Sequence, residues 1–337
     1  LLKIDPQELT VNVLDYVATG GGMVMLEVKK GGQHPDLDLD VAVADAYFKR
    51  RGEKQAFIEN VAIKLQARGR GMSYSGSKGE VVLDLQIPSA TVKDMSIYNR
   101  YLPPKSPFAF LGGTADLSAD INLKPTSAGG FVKLKTKGMQ SRIDEQKISG
   151  ELTADIELTG GVPKNMDFDI SGSSLVLDKV RVAGEQETYQ STGWHARFDL
   201  KKGRAIWTKP TRINLVAGIE MKDTRPIVAI LANHRGKHGW IEEMLTVTNI
   251  KGEATMSVAQ NQMVIPYAFV GSDNIDVGAK GIISVDTRDG VFYVRFKKLD
   301  GILKIRNKDR NFDVFGAKQT FDEYSPDNVN LNGSSPI

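Results

Sequence analysis

The chain's stock of soft ligands and nucleophile partners is small: four histidines (His34, His195, His234 and His238) and no cysteine. His234 and His238 stand at the i,i+4 spacing that can chelate a metal from one helix face. The segment reads His-Arg-Gly-Lys-His, so a helix-weakening glycine lies between them and two cations would repel the ion. It also lacks the glutamate that an HExxH zinc site uses as its base. We read it as a solvated helix end. Asp36, Asp38 and Asp40 are spaced by two, as in a calcium loop, but such a loop needs a glycine for its tight turn and a distant glutamate. Here leucines fill the gaps and Val41 follows, which makes the carboxylates the wet face of a strand. Gly71-Met72-Ser73-Tyr74-Ser75 approaches the GxSxG elbow and fails at its last position. Gly20-Gly21-Gly22 lacks the lysine and spacing of a phosphate loop and reads as a turn. Arg68-Gly69-Arg70 reads as a basic loop tip, able to touch anionic headgroups or glycans. Without cysteine, disulfide, zinc-thiolate and cysteine-nucleophile chemistry are closed. No nucleophile, base and oxyanion hole come together by proximity, so the expectation is a non-enzymatic protein with no cofactor and no metal.

The composition agrees. Against 44 basic side chains stand 41 acidic ones, a net of +3 over 337 residues. A dedicated nucleic-acid binder would concentrate basic charge, so no nucleic-acid partner is expected. The longest apolar run, residues 227–232 (IVAILA), is too short to cross a bilayer. The chain opens Leu1-Leu2-Lys3, without an initiator Met or a leader pattern. It reads as an excised or processed segment, with any signal or inner-membrane anchor outside it.

The elements that must position these residues are strands. Leu117-Ser118-Ala119-Asp120-Ile121-Asn122-Leu123 returns 35 positions later as Leu152-Thr153-Ala154-Asp155-Ile156-Glu157-Leu158. Alternation at period two marks a strand with one dry and one wet face. Residues 24–28, 37–43, 57–65 (FIENVAIKL) and 80–87 (EVVLDLQI) repeat the pattern before this unit. Residues 131–135, 166–170, 175–182, 194–200, 205–208 and 212–216 repeat it around and after. Glycine, serine and charge separate them, as in a long meander or an open barrel-like sheet. Residues 95–102 (MSIYNRYL), ahead of Pro103-Pro104, read as a short helical or irregular connector. Pro226 suits the first turn of a helix over 225–234, and 240–245 (WIEEML) reads as a second short helix. Strands resume over 252–258, 263–270, 281–285, 291–296 and 302–305. The expected fold is therefore mainly β: a long, curved, amphipathic, mostly antiparallel sheet, groove or open-barrel-like, with a few short helices. The expected organisation is a repetitive sheet over 1–222, short helices plus closing strands over 223–324, and a disordered tail over 325–337.

Asn99-Arg100-Tyr101-Leu102-Pro103, running into Gly112-Gly113-Thr114-Ala115-Asp116-Leu117, resembles the AsmA-like envelope proteins of Gram-negative bacteria (the AsmA, YdbH and TamB types). The second copy, Ser149-Gly150-Glu151-Leu152-Thr153-Ala154-Asp155, and residues 171–182 continue that cadence. About two thirds of the chain has this texture, the closing section over 225–315 included; the first hundred residues match only in being amphipathic β. The resemblance implies a periplasmic portion of an inner-membrane-anchored protein. Its long bent sheet would be similar to that of bridge-like lipid-transfer proteins, with phospholipid moving along an apolar inner face toward the outer membrane. On that reading Leu117, Ile121, Leu123, Leu152, Ile156 and Leu158 line the groove, and the partner is phospholipid or another acyl-chain lipid. The same positions suit an ordinary protein core equally well. A secreted or surface β module that binds glycan or protein through loop tips such as residues 68–71 is the alternative of a different class. Its predicted aromatic edge would have to gather Trp194, Trp207 and Trp240.

Overall fold

The computed structural model describes residues 1–337 except 14–15, 32–33, 73–79, 103–107, 144–145, 184–187, 191–192, 209–210, 224–247, 260–261, 273–274, 285–286, 308 and 327–337. The two helices expected over 225–245, the His234/His238 pair and nearly all of the expected tail lie outside the described residues. The strand Arg212–Asp223 runs one residue past the expected boundary at 222/223.

The described chain is mainly β, as the alternation predicts, with antiparallel strand pairing among the described residues and the sheet not closed into a barrel. In order, the strands are β1 (Leu2–Ile4), β2 (Leu9–Val13), β3 (Tyr16–Lys29), β4 (Asp36–Arg50), β5 (Ile58–Arg70), β6 (Glu80–Val92), β7 (Phe108–Lys124), β8 (Ser127–Ile143), β9 (Gln146–Leu158), β10 (Gly160–Val162), β11 (Asp167–Asp169), β12 (Ser174–Ala183), β13 (Thr188–Gln190), β14 (His195–Ile206), β15 (Arg212–Asp223), β16 (Thr248–Ala259), β17 (Gln262–Ser272), β18 (Ile275–Ile283), β19 (Arg288–Phe296), β20 (Leu299–Arg306) and β21 (Asp309–Asp313). A 3-10 turn, Met95–Tyr101, forms the expected connector, and one short α-helix, α1 (Ala317–Glu323), follows the last strand.

The residues cluster into two units, each described by itself. The first comprises Leu1–Ile97, Phe110–Met139 and Glu151–Ser173. Within it β3 to β7 form a meander, and β1 and β2 pair with the two halves of β3. The glycine triplet 20–22 is therefore not the turn its composition suggests. It lies inside β3, where a Cβ on Gly20 would come within 2.8 Å of the Ala46 Cα and one on Gly22 within 2.4 Å of the Ala42 carbonyl. Only glycine lets β4 approach that closely. Register shifts fall between Thr19 and Gly21, Val43 and Ala46, Glu59 and Ala62, and Ile87 and Ala90. Asp45 and Asn60, at φ 50 and 54, take the left-handed conformation beside two of these shifts, which short polar side chains tolerate best. The unit's buried core lies at this line of bulges, where Val43, Ala46, Val61 and Ala90 pack together.

The second unit comprises Tyr98–Ala109, Gln140–Gly150 and Ser174–Ile337. There β12 pairs with both β13 and β14, and β14 to β21 run as a further meander. Residues 194–200 and 205–208, which read as two strands, belong mostly to the single strand β14. A bulge between Leu200 and Lys202 resets the alternation there, and Lys201-Lys202 looks like a separator. Its core gathers Ile148, Val180, Val182, Trp194, Ala196, Ile219, Met221 and Ile250. A second cluster forms where α1 lays Ala317 and Phe321 on Val291, Tyr293 and Ile302.

Candidate functional site: an apolar sheet face in the first unit

In the first unit the strand registers turn local alternation into rows. One row crosses six strands as Leu2, Leu26, Leu39, Ala67, Leu83 and Leu123. The next runs Ile4, Val24, Val41, Leu65, Leu85 and Ile121. Residues directly opposite in adjacent strands point to the same side, so both rows lie on one face. From β3 to β7 every member of both rows is half-buried, and Leu2 and Ile4 at the β1 edge are exposed. With strands about 4.8 Å apart, each row extends on the order of 24 Å. The α-helix among the described residues, α1, packs on Val291, Tyr293 and Ile302 of the second unit.

The interleaved positions build the opposite, polar face. Asp40, Gln66, Asp84 and Asn122 stand in one row, in which Gln66 Nε2 donates to Asp40 at 2.8 Å and the Asn122 amide donates to Asp84. One position along, Gln86 Nε2 donates to Asp120 at 3.3 Å. Lys29 bridges Asp38 at 2.7 Å and Glu27 at 3.1 Å, and Arg70 reaches Asp36 at 3.1 Å. The Gly71 N–H donates to Asp36 at 2.9 Å. These contacts set the protonation of the group: the Gly71 N–H and then Arg70 hold the Asp36 carboxyl below its usual range, and the Lys29 ammonium does the same for Asp38. Asp38 and Glu27 in turn raise Lys29. Asp36, Asp38 and Asp40 thus form the wet face of a strand, as expected. Arg68-Gly69-Arg70 is not a free loop tip but the end of β5, with Arg70 drawn onto Asp36.

Of the residues read as groove lining, Ile121 and Leu123 sit in the two long rows, opposite Leu85 and Leu83, and Leu117 stands opposite Ala90 against the bulge-line core. Leu152, Ile156 and Leu158 share one side of β9 and are half-buried, with Ala154 buried among them. The Leu152 N–H donates to Thr136 Oγ1 at 2.7 Å, and Lys133 bridges Asp155 at 3.3 Å. Val24, Leu26, Leu39, Val41, Leu65, Leu83 and Leu85 complete the face and were not singled out as lining. The period-two signal was present in each of their strands; what it could not say was which strands are neighbours.

Neither His34 nor His195 is buried, and among the described residues no cluster of three or more histidine, aspartate or glutamate side chains is placed to hold a metal ion. Trp194 is an interior residue of the second unit, its Nε1–H donating to the Asp223 carbonyl at 2.9 Å. Trp207 is about half exposed, and Trp240 lies outside the described residues. Among the described residues no helix is long and apolar enough to cross a membrane. No family model, no curated protein and no solved structure matches the chain.

Proposed function

We propose that this is a non-enzymatic cell-envelope protein whose apolar sheet face takes the acyl chains of phospholipid non-covalently, in support of outer-membrane lipid homeostasis. The observation that carries this reading is the pair of apolar rows continuous across six strands, whose members from β3 to β7 are only half-buried and whose β1 members are exposed. A sheet face of leucine, isoleucine and valine must be covered by something apolar. An acyl chain covering it gains roughly 0.8 kcal/mol for each CH₂ withdrawn from water. At about 24 Å each row is longer than half of the bilayer's hydrocarbon thickness, about 15 Å, so an extended chain fits along it. The opposite face, saturated with paired carboxylates, amides and cations, offers an acyl chain nothing. The AsmA-like cadence at residues 99–117 and 149–155 points the same way and supports a periplasmic location.

The test is lipid extraction and mass spectrometry on the protein purified without detergent. Phospholipid recovered in stoichiometric amount, and depleted by Ile121→Gln or Ile156→Gln in protein that still folds, is the expected result. Lipid-free protein whose rows prove to be packed against its own side chains would sink the reading.

A further inference from the structure

The second unit carries a corner of a different character. Phe315, Leu299, Phe312 and Val314 are 85%, 73%, 62% and 52% exposed. Leu299 opens β20 opposite Phe296, and Phe312 stands opposite Leu303 on β21, which among the described residues pairs with β20 alone. The Phe312 ring lies over Gly301, where a Cβ would come within 2.7 Å of it. Beyond β21 the chain is held rather than loose. Asp313 Oδ1 accepts the Phe315 N–H at 2.9 Å, Gly316 turns the backbone at φ 62, and α1 then anchors through buried Ala317 and Phe321. Val314 and Phe315 are therefore pushed into solvent between two fixed elements.

The charge beside this corner says what covers it. Lys297 and Lys298 form the exposed turn that leads into Leu299, with Lys297 Nζ 5.4 Å from the centre of the Phe296 ring. Beside Leu299 itself the free cations among the described residues are these two lysines: Arg295 on β19 is paired with Asp276, and Arg306, at the other end of β20, is paired with Asp289. Asp313 is occupied with the Phe315 backbone. Lysine is depleted where proteins bind one another. It is enriched beside apolar side chains that enter an anionic lipid surface, where its long stem follows the apolar residues and its ammonium stays at the phosphates.

We propose that this corner is a membrane-surface anchor: Phe315 and Leu299 enter the headgroup boundary of an anionic bilayer while Lys297 and Lys298 hold the phosphates. The proposal stands on the second unit alone and does not depend on whether the face in the first unit takes lipid.

Flotation of the full chain with vesicles of phosphatidylcholine, and of phosphatidylcholine mixed equally with phosphatidylglycerol, tests it. The protein is expected to float with the anionic vesicles. Lys297→Gln with Lys298→Gln should weaken that binding roughly 30-fold, about fivefold for each lysine. Phe315→Ser with Leu299→Ser should abolish it, and because all four side chains are exposed these variants keep the fold. Lys164→Gln, an exposed lysine of the first unit outside both sites, should float like the parent. Three outcomes would overturn the proposal: flotation that ignores Phe315 and Leu299, equal binding to neutral vesicles that ignores the lysines, or a dimer in sedimentation that Phe315→Ser dissolves, which would make the corner a contact between copies.

Discussion

The ring of Phe321 on α1 lies directly over Gly278 of β18, so close that a Cβ on the glycine would stand 2.5 Å from Cζ. The helix has seven residues and no side-chain cap at its start, so its own hydrogen bonds cannot hold it. What holds it is this seat, together with Lys280. The Lys280 Nζ donates at 3.1 Å to both the Asp322 and the Tyr324 carbonyls and lies 4.8 Å from the Phe321 ring centre. Tyr324 adds a 2.6 Å hydrogen bond from its hydroxyl to Asp289. Gly278→Ala is accordingly expected to lift the ring and cost about 1–3 kcal/mol through overpacking. Hydrogen exchange reads it directly: protection should fall at the Thr320 and Tyr324 N–H groups, which bond to Gly316 and Thr320. Unchanged protection there would show that the seat is not what holds the helix.

The apolar rows make a separate prediction about stability. Leu85 and Ile121 are directly opposite and half-buried. Should the rows be covered by lipid, Leu85→Ala in delipidated protein costs less than the 2–5 kcal/mol typical of a filled core. Chemical denaturation before and after delipidation measures it, and a full core-sized loss in lipid-free protein argues for a face packed on protein.

The polar face should respond to acid. The Asp36 and Asp38 carboxyls are held below their ordinary value, so their contribution is complete above the unfolded range near 4 and disappears as pH falls through the lowered folded values. Thermal melts of the parent and of Asp38→Asn should therefore differ at neutral pH and converge progressively below about pH 4. A gap that stays constant down to acid would count against the pairing. Lys29 has the opposite sign: its pKa is raised, so its contribution is complete below the unfolded lysine value and fades as pH climbs through the folded one.

In the second unit, Trp194 both fills the core and donates its indole N–H to the Asp223 carbonyl. Trp194→Phe keeps most of the apolar volume and removes the donor. The expected cost is about 1–3 kcal/mol, from a buried acceptor that loses a partner. Equilibrium denaturation followed by circular dichroism checks it, and Trp194→Leu, which also opens space, should cost more.

Period-two alternation in runs such as 37–43, 80–87 and 117–123 was enough to establish strands, the wet face of Asp36, Asp38 and Asp40, and the apolar partners of those carboxylates. That information is local, because the direction of a side chain in a strand depends only on its parity. Neighbour and register are not local: pairing Leu39 with Ala67 and Leu85 with Ile121 joins residues far apart in the chain, and only those pairings turn separate strands into two continuous rows. The same limit explains the misreadings. Gly20–Gly22 looked like a turn because the strand that needs their missing side chains, β4, is brought against them by folding. Arg70 looked like a solvated tip because Asp36, its partner, is adjacent only across the β4–β5 pair. The helix α1 left almost no periodic signal, since its two buried side chains make sense only above Gly278 and Tyr293. Sequence alone thus determined which residues are apolar and on which side of each strand they fall. The tertiary structure decided which of those sides are continuous, because register is set by contacts between strands and not by the order of residues within one.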